Sequence, residues 1–343
     1  MLIHTTCRRH AYTILGASLG WLRTAPYFLI DNILVIADHR IKVQLRAYQA
    51  NATEYALDHL AKRERAVIQL PTGTGKSLVL LMIAKPWLKA GKRVYLVVPT
   101  VEALAQLRVL CVRLGLCVVV DLGERRAPSL APFVLSTYAT AWRRFRRRIA
   151  PEALLLLDEC HHVNYAAEVN TKILQSFPFA VGASATPWSR GCLPFFDGNR
   201  HVYRLSESIA AGHNAPYRLA RWQEPQAIDS PIIYADNDSD LRQFCQSLRT
   251  ADYAVYQRQN ARRIIQRYRL GFLKAIVVRR MLTEGFDYPQ CKAVYVARQT
   301  RSRIAAMQMA GRALRPDKGR KATIFVINSE IGALLRRALR KAG

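Results

Sequence analysis

The sequence predicts an α/β chain, with two doubly wound parallel-sheet domains in tandem behind a short N-terminal extension. Three observations carry this reading. Short β-rich apolar runs alternate with helix-length stretches through most of the 343 residues. The rhythm recurs after a mixed stretch at 188–230 that is rich in Gly, Pro and Arg. The run 66–70 leads into a glycine loop that opens an apolar helix, a strand–loop–helix unit typical of such sheets.

Taken in order, strands are predicted at 33–37, 66–70, 93–98, 116–120, 132–136, 154–157 and 179–183. Helices at 46–63, 76–90 and 101–114 lie between them, the last two stopped by Gly91 and Gly115. In the second half, strands are predicted at 231–235, 253–256, 275–278, 292–297 and 322–327. Their helices are 239–249, 260–270, 303–313 and 330–341. The expected division is an extension at 1–40, a first domain at 41–205 and a second at 206–343, with a hinge near 205–225. No tandem repeat or low-complexity stretch appears.

Residues 69–77 read Gln-Leu-Pro-Thr-Gly-Thr-Gly-Lys-Ser. Gly73 and Gly75 let the backbone turn its N–H groups toward a phosphate, and the following helix aims its positive end at the same place. Lys76 would reach the β/γ-phosphates, and the Ser77 hydroxyl would take a Mg²⁺ position. Leu70 stands where a strict phosphate loop has its first glycine. The partner is the apolar run Leu154–Leu157, which ends in Asp158 and Glu159. A buried parallel strand would deliver both carboxylates to its C-terminal edge. There Asp158 would hold Mg²⁺ and Glu159 would polarise the attacking water. The expected cofactors are ATP and Mg²⁺.

Lys and Arg total 52 against 24 acids, a formal charge of +28 divided evenly as +14 on residues 1–205 and +14 on 206–343. Such an excess favours a nucleic-acid partner over a merely solvated basic surface. Seven scattered cysteines, none in a Cys-x-x-Cys, fit a reducing compartment without a structural metal. A cytoplasmic, nucleoid-associated or phage-encoded protein with no membrane association is expected. Residues 1–30 contain no acid and carry Arg8, Arg9 and Arg23. They read as an extension packed on the first domain, with organellar targeting as the alternative. The cluster Trp142–Arg148 reads as a solvated helix face with two core anchors in preference to a nucleic-acid contact.

The motif set resembles the superfamily 2 DExH-box helicase and translocase core, with two RecA-like domains. It is most like the motors of DNA-repair helicases and of type I and III restriction enzymes. The resemblance covers roughly 40–330. It rests on Leu45–Gln49, the loop at 69–77, Val97–Thr100, Ser136–Tyr138, Asp158–His161, Ser184–Pro187, Glu284–Asp287 and Gln308–Arg315.

The resemblance implies that Arg46 and Gln49 serve the nucleotide, with Gln49 reading the adenine edge. It adds Thr72, Thr74, Gly285 and Asp287 to the nucleotide site. Pro99, Thr100 and Thr137 are implied to contact the nucleic-acid backbone, and His161, Ser184 and Thr186 to couple hydrolysis to that track. Arg312 and Arg315 would neutralise transition-state charge from the second domain, with Gln308 orienting water. At helical spacing Gln308, Gly311, Arg312 and Arg315 share one face. The implied activity is ATP-driven movement on DNA, 3′ to 5′, with RNA as the alternative polymer. A protein partner would supply specificity. A non-catalytic scaffold is the reading from another class.

Overall fold

The computed structural model describes residues 27–30, 33–36, 43–145, 152–165, 167–188, 192–223, 230–248, 251–254, 261–279, 291–316 and 321–342. Two strands, β1 (Tyr27–Ile30) and β2 (Ile33–Ile36), pair as an antiparallel hairpin outside the main sheets. The run at 33–37 therefore does not open the first parallel sheet.

The first lobe follows as α1 (Ala47–Ala61), β3 (Ala66–Gln69), α2 (Lys76–Lys89), β4 (Val94–Val98), α3 (Val101–Arg113) and β5 (Val119–Asp121). It continues with β6 (Phe133–Thr137), α4 (Tyr138–Arg144), β7 (Leu154–Asp158), α5 (Glu168–Gln175), β8 (Phe179–Ser184), α6 (Cys192–Phe195) and β9 (Arg200–Val202). Its strands run parallel in the order β5-β6-β4-β7-β8-β3-β9. Central strands buried on both faces must be apolar throughout. Leu154 to Leu157 satisfy this, each without exposed surface. One face of the sheet packs under α1, α2 and α3, the other under α4 and α5.

The second lobe comprises α7 (Leu205–Ala210), β10 (Tyr217–Arg221), β11 (Ile232–Tyr234), α8 (Asp238–Leu248), β12 (Ala251–Ala254) and α9 (Ala261–Arg269). It ends with β13 (Ala275–Val278), β14 (Ala293–Val296), α10 (Arg303–Gly311), β15 (Ala322–Val326) and α11 (Ser329–Ala342). Its parallel order is β10-β15-β14-β11-β13-β12. The chain passes from one core to the other at a single residue. Tyr203 packs on the first core, whereas Leu205 is buried in the second.

Several strands differ from expectation, among them β1, which is not predicted, and β12, which starts at Ala251 and not at 253. β5 begins at Val119, so 116–118 lead into the strand. β9 and β10 fall inside the mixed stretch at 188–230, for which no strand is predicted. Both are edge strands with partly exposed, basic sequences, Arg200-His201-Val202 and Tyr217 to Arg221. The apolar signal that marks a central strand is absent there.

The arginine cluster is anchored as expected within the described residues. Phe145 is buried and Trp142 packs beside it. Arg144 is also tied down, because its guanidinium pairs with the buried Asp121 carboxylate and reaches the Gly123 and Arg125 carbonyls. No described helix is long and apolar enough to cross a membrane.

Candidate active site

Because the strands are parallel, β3, β4, β7 and β8 end at one edge, where such sheets hold ligands. The loop after β3 is held in shape from three sides. Gly73 and Gly75 take left-handed conformations, with φ of 89° and 84°. The Thr74 hydroxyl donates to the Pro71 carbonyl at 2.7 Å. The Thr74 carbonyl accepts from the Tyr48 hydroxyl at 2.8 Å and from Gln49 Nε2 at 2.9 Å. Leu70 is fully buried and its amide donates to the Ser184 carbonyl at 3.3 Å. That position is therefore a core anchor for the loop, which explains why an apolar residue stands there.

Helix α2 starts at Lys76 behind Gly75, with no side-chain cap on its first turn. Its N-terminal donors are thus left for an anion. Lys76 Nζ lies 3.1 Å from Glu159 Oε1, and the Ser77 hydroxyl donates to Asp158 Oδ2 at 2.9 Å. Burial, reinforced by the neighbouring Glu159 carboxylate, pushes the Asp158 carboxyl up to about 6. A divalent cation between Asp158 and Ser77 would offset that cost. Glu159 itself has φ of 51°, a strained conformation for a non-glycine residue that keeps its carboxylate beside Lys76.

The second lobe closes the site. Helix α10 begins at the Ser302 cap and ends at Gly311, so Arg312 caps it and Arg315 lies beyond it. The one-face reading of this segment as a continuous helix is corrected to that extent. All four residues still face the first lobe. Gln308 Nε2 donates to His161 Nε2 at 3.1 Å, Gly311 packs against Thr72, and Arg315 lies over Gly73. Arg312 and Arg315 line, with Lys76, Ser77, Asp158 and Glu159, a cavity of about 240 Å³. Arg312 is largely buried and hydrogen-bonds the hydroxyl of Tyr234, whose titration burial shifts upward against the pull of that arginine.

Hydrogen bonds connect the two lobes to the carboxylate. Since His161 Nε2 accepts from Gln308, its proton sits on Nδ1. Nδ1–H donates to Ser184 Oγ at 2.8 Å, which also accepts from the Thr186 amide at 2.9 Å. The Ser184 hydroxyl then donates to Glu159 Oε2 at 3.4 Å. His161, Ser184 and Thr186 are all buried. Gln308 joins this chain of contacts through His161.

The remaining assignments divide. Gln49 is spent on the loop, because its Oε1 accepts the Arg46 amide at 3.0 Å and its Nε2 holds Thr74. Its position in this structure is that of a brace, not of an open adenine reader. Arg46 is exposed, beside Tyr48. Pro99 lines the same cavity as Lys76 and Asp158. Thr137 is buried and bonds Thr140, which removes its hydroxyl from a surface track. Thr100 caps α3 by accepting from the Ala103 amide at 3.1 Å. Gly285 and Asp287 lie outside the described residues.

Sequence reasoning missed Tyr234 and Asn214. Tyr234 ends a strand that was predicted, so its place was legible but its contact with Arg312 was not. Asn214 sits in the irregular stretch, where nothing in the sequence marks it.

The donor set fits Mg–ATP. It combines an uncapped helix end, three cationic side chains and two hard oxygen donors from Ser77 and Asp158. Added Cβ atoms at Gly73 and Gly75 would collide with Arg315 and Gln49.

Residues 42–189 match the family model described as the res subunit of type III restriction enzymes. The matched segment holds the phosphate loop and the Asp158–Glu159 strand end, and in this it is similar to the first lobe of superfamily 2 motors. A curated relative, the DNA 3′-5′ translocase XPB2 of Sulfurisphaera tokodaii, is 30% identical over 187 residues, covering 52% of this chain and 40% of the relative. The chain thus spans about two fifths of that relative's length. Among solved structures, the chain resembles the type ISP restriction-modification enzyme LlaBIII bound to DNA. That match has a TM-score of 0.69 and 15% identity, over 91% of this chain and 30% of that one. A putative HsdR subunit of a type I restriction enzyme from Vibrio vulnificus gives 0.66 at 18% identity, over 84% and 65%. Dbp5 of S. cerevisiae, bound to RNA and ADP BeF3, gives 0.62 at 16% identity, over 87% and 92%. These likenesses establish the tandem RecA-like fold.

Proposed function

We propose that this chain is the motor of an ATP- and Mg²⁺-dependent DNA translocase or helicase. The observation that carries the reading is the convergence of Lys76, Ser77, Asp158 and Glu159 with Arg312 and Arg315 on one cavity between the lobes. Bound Mg–ATP would supply the scissile phosphoanhydride and, through the metal, charge neutralisation. Lys76 and the α2 N-terminus would hold the phosphates, and Ser77 and Asp158 the cation. Glu159 would orient water and accept its proton. The arginines reach the cavity from the other lobe, so they act only when the lobes are in register. The contacts from Gln308 through His161 and Ser184 make the placement of Glu159 depend on the same register.

DNA is favoured because the curated relative is named a DNA translocase and LlaBIII is bound to DNA. The 3′ to 5′ polarity is proposed on the relative's name, and a cytoplasmic location on the cysteine usage. The restriction-enzyme likenesses favour a partner subunit that supplies specificity.

The test is steady-state ATP hydrolysis with Mg²⁺, with and without single-stranded DNA, duplex DNA and RNA, using Glu159→Gln as the blank. DNA stimulation that vanishes in the variant supports the proposal. Stimulation by RNA alone would move the motor to RNA, and nucleic-acid binding without turnover would make the chain a scaffold.

A further inference from the structure

Asn214 occupies the junction of the two lobes, and every polar atom of its side chain is engaged. It is 1% exposed, beside a Ser208 that is fully buried. Its Nδ2 donates to the Thr72 carbonyl at 3.1 Å, at the start of the phosphate loop. The same nitrogen donates to the Leu314 carbonyl at 2.8 Å, between Arg312 and Arg315. Its Oδ1 accepts from the Ser208 hydroxyl at 2.7 Å. The two carbonyl acceptors fix the amide orientation, since the flipped amide would set its oxygen against both.

The loop carrying Asn214 is rigidly placed on the second lobe. The amides of His213 and Asn214 both donate to the Ser208 carbonyl, at 2.8 and 3.2 Å, and the Ala215 amide donates to Leu314 at 3.0 Å. Leu205 and Ala215, on either side, are buried in the second core. The side chain therefore reaches across from one lobe to a main-chain carbonyl of the other. An apolar residue would fill the volume and keep the Ala215–Leu314 bond, but would leave the partly buried Thr72 carbonyl without this donor.

We infer that Asn214 is a positioning residue that sets the register between the phosphate loop and the arginine-bearing segment 312–315. One side-chain nitrogen spans both, so a shift of either is felt by the other. Its consequence for turnover rests on the proposed ATPase reading, but its structural content does not.

The test compares wild type with Asn214→Leu by amide hydrogen exchange, without nucleotide or nucleic acid. Ser208→Ala, which releases the acceptor side of the amide, is the second variant. The expected result is that exchange in 70–77 and in 309–315 accelerates together, by about tenfold, while β13 and β14 keep their protection. A role confined to shaping the second lobe would speed 205–215 and 309–315 only. Unchanged exchange at 70–77 overturns the inference. If Asn214→Leu accelerates exchange throughout, Ser208→Ala decides by the same criterion.

The kinetic arm predicts that kcat for ATP falls about tenfold with KM changed less than twofold, because the arginines act on charge that develops in the transition state. A rise in KM alone would contradict register control. Wild-type protein that hydrolyses no ATP would refute the functional reading and leave the exchange result to judge Asn214.

Discussion

Adding one methyl group at Gly311 should impair turnover without weakening the fold. Gly311 is the last residue of α10 and meets Thr72 across the lobe boundary. A Cβ there would stand 3.1 Å from Thr72 Cβ and Oγ1 and 3.3 Å from its Cγ2. Non-bonded carbons prefer about 3.5–4.0 Å, so the lobes must part by about 0.5 Å. A misplacement of about 1 Å at a reacting centre can cost about 10²-fold. Half of that displacement predicts about a tenfold loss of kcat in Gly311→Ala, or about 1.4 kcal/mol in the barrier. Within helices alanine is favoured over glycine by up to about 1 kcal/mol, so Tm should hold or rise slightly. The assay pairs steady-state hydrolysis with thermal melting. A variant with wild-type kcat refutes the reasoning. So does one whose Tm falls in step with kcat, because that pattern is ordinary destabilisation.

Four further outcomes follow from the same geometry. Glu159→Gln should lower kcat by about 10²–10⁴-fold while nucleotide binding persists, and retained turnover would remove Glu159 as the base. His161→Ala and Gln308→Ala should each reduce nucleic-acid-stimulated hydrolysis, and the double variant should be no worse than the poorer single. Additive losses in that cycle would show that the 3.1 Å contact carries no coupling. Gly182→Ala should destabilise the first lobe by about 1–3 kcal/mol, since its Cβ would lie 2.5 Å from Phe196 Cζ and 3.0 Å from Cys160 Cβ. An unchanged Tm would count against that packing. Finally, with a formal charge of +28, DNA affinity should fall by about 10³-fold or more between 50 and 200 mM salt. A flat salt dependence would point to few phosphate contacts.

The central architecture was legible because buried parallel strands have to be apolar along their length. Leu154–Leu157 and Phe179–Ala183 announce themselves in that way, and the glycine loop fixes where β3 stops. The catalytic ends of these strands followed directly. What stayed hidden depended on contacts remote in sequence. β9 and β10 pair along only one edge, so their exposed arginines and alternating residues carry no core signal. Thr137 sits at a motif position, yet its hydroxyl bonds Thr140, and burial cannot be read from a motif. Gln49 looks like a base reader by position, whereas its amide is committed to Arg46 and Thr74. Asn214 joins carbonyls 142 and 100 residues away, a relation that no local pattern encodes.

The passage between cores at Arg204 has a mechanical consequence. Tyr203 is bonded through its amide to Gln69, stacks on Tyr48 and belongs to the first lobe; Leu205 belongs to the second. The covalent pivot is therefore short and lies beside the base of the phosphate loop. Motion about such a pivot is levered. A turn of about 10° displaces a point about 20 Å away, roughly the far side of a lobe of this size, by about 3.5 Å. That travel is close to the ~3.4 Å spacing of successive nucleotides along one DNA strand. A small rearrangement close to the pivot is thus enough, at the rim, to span one base.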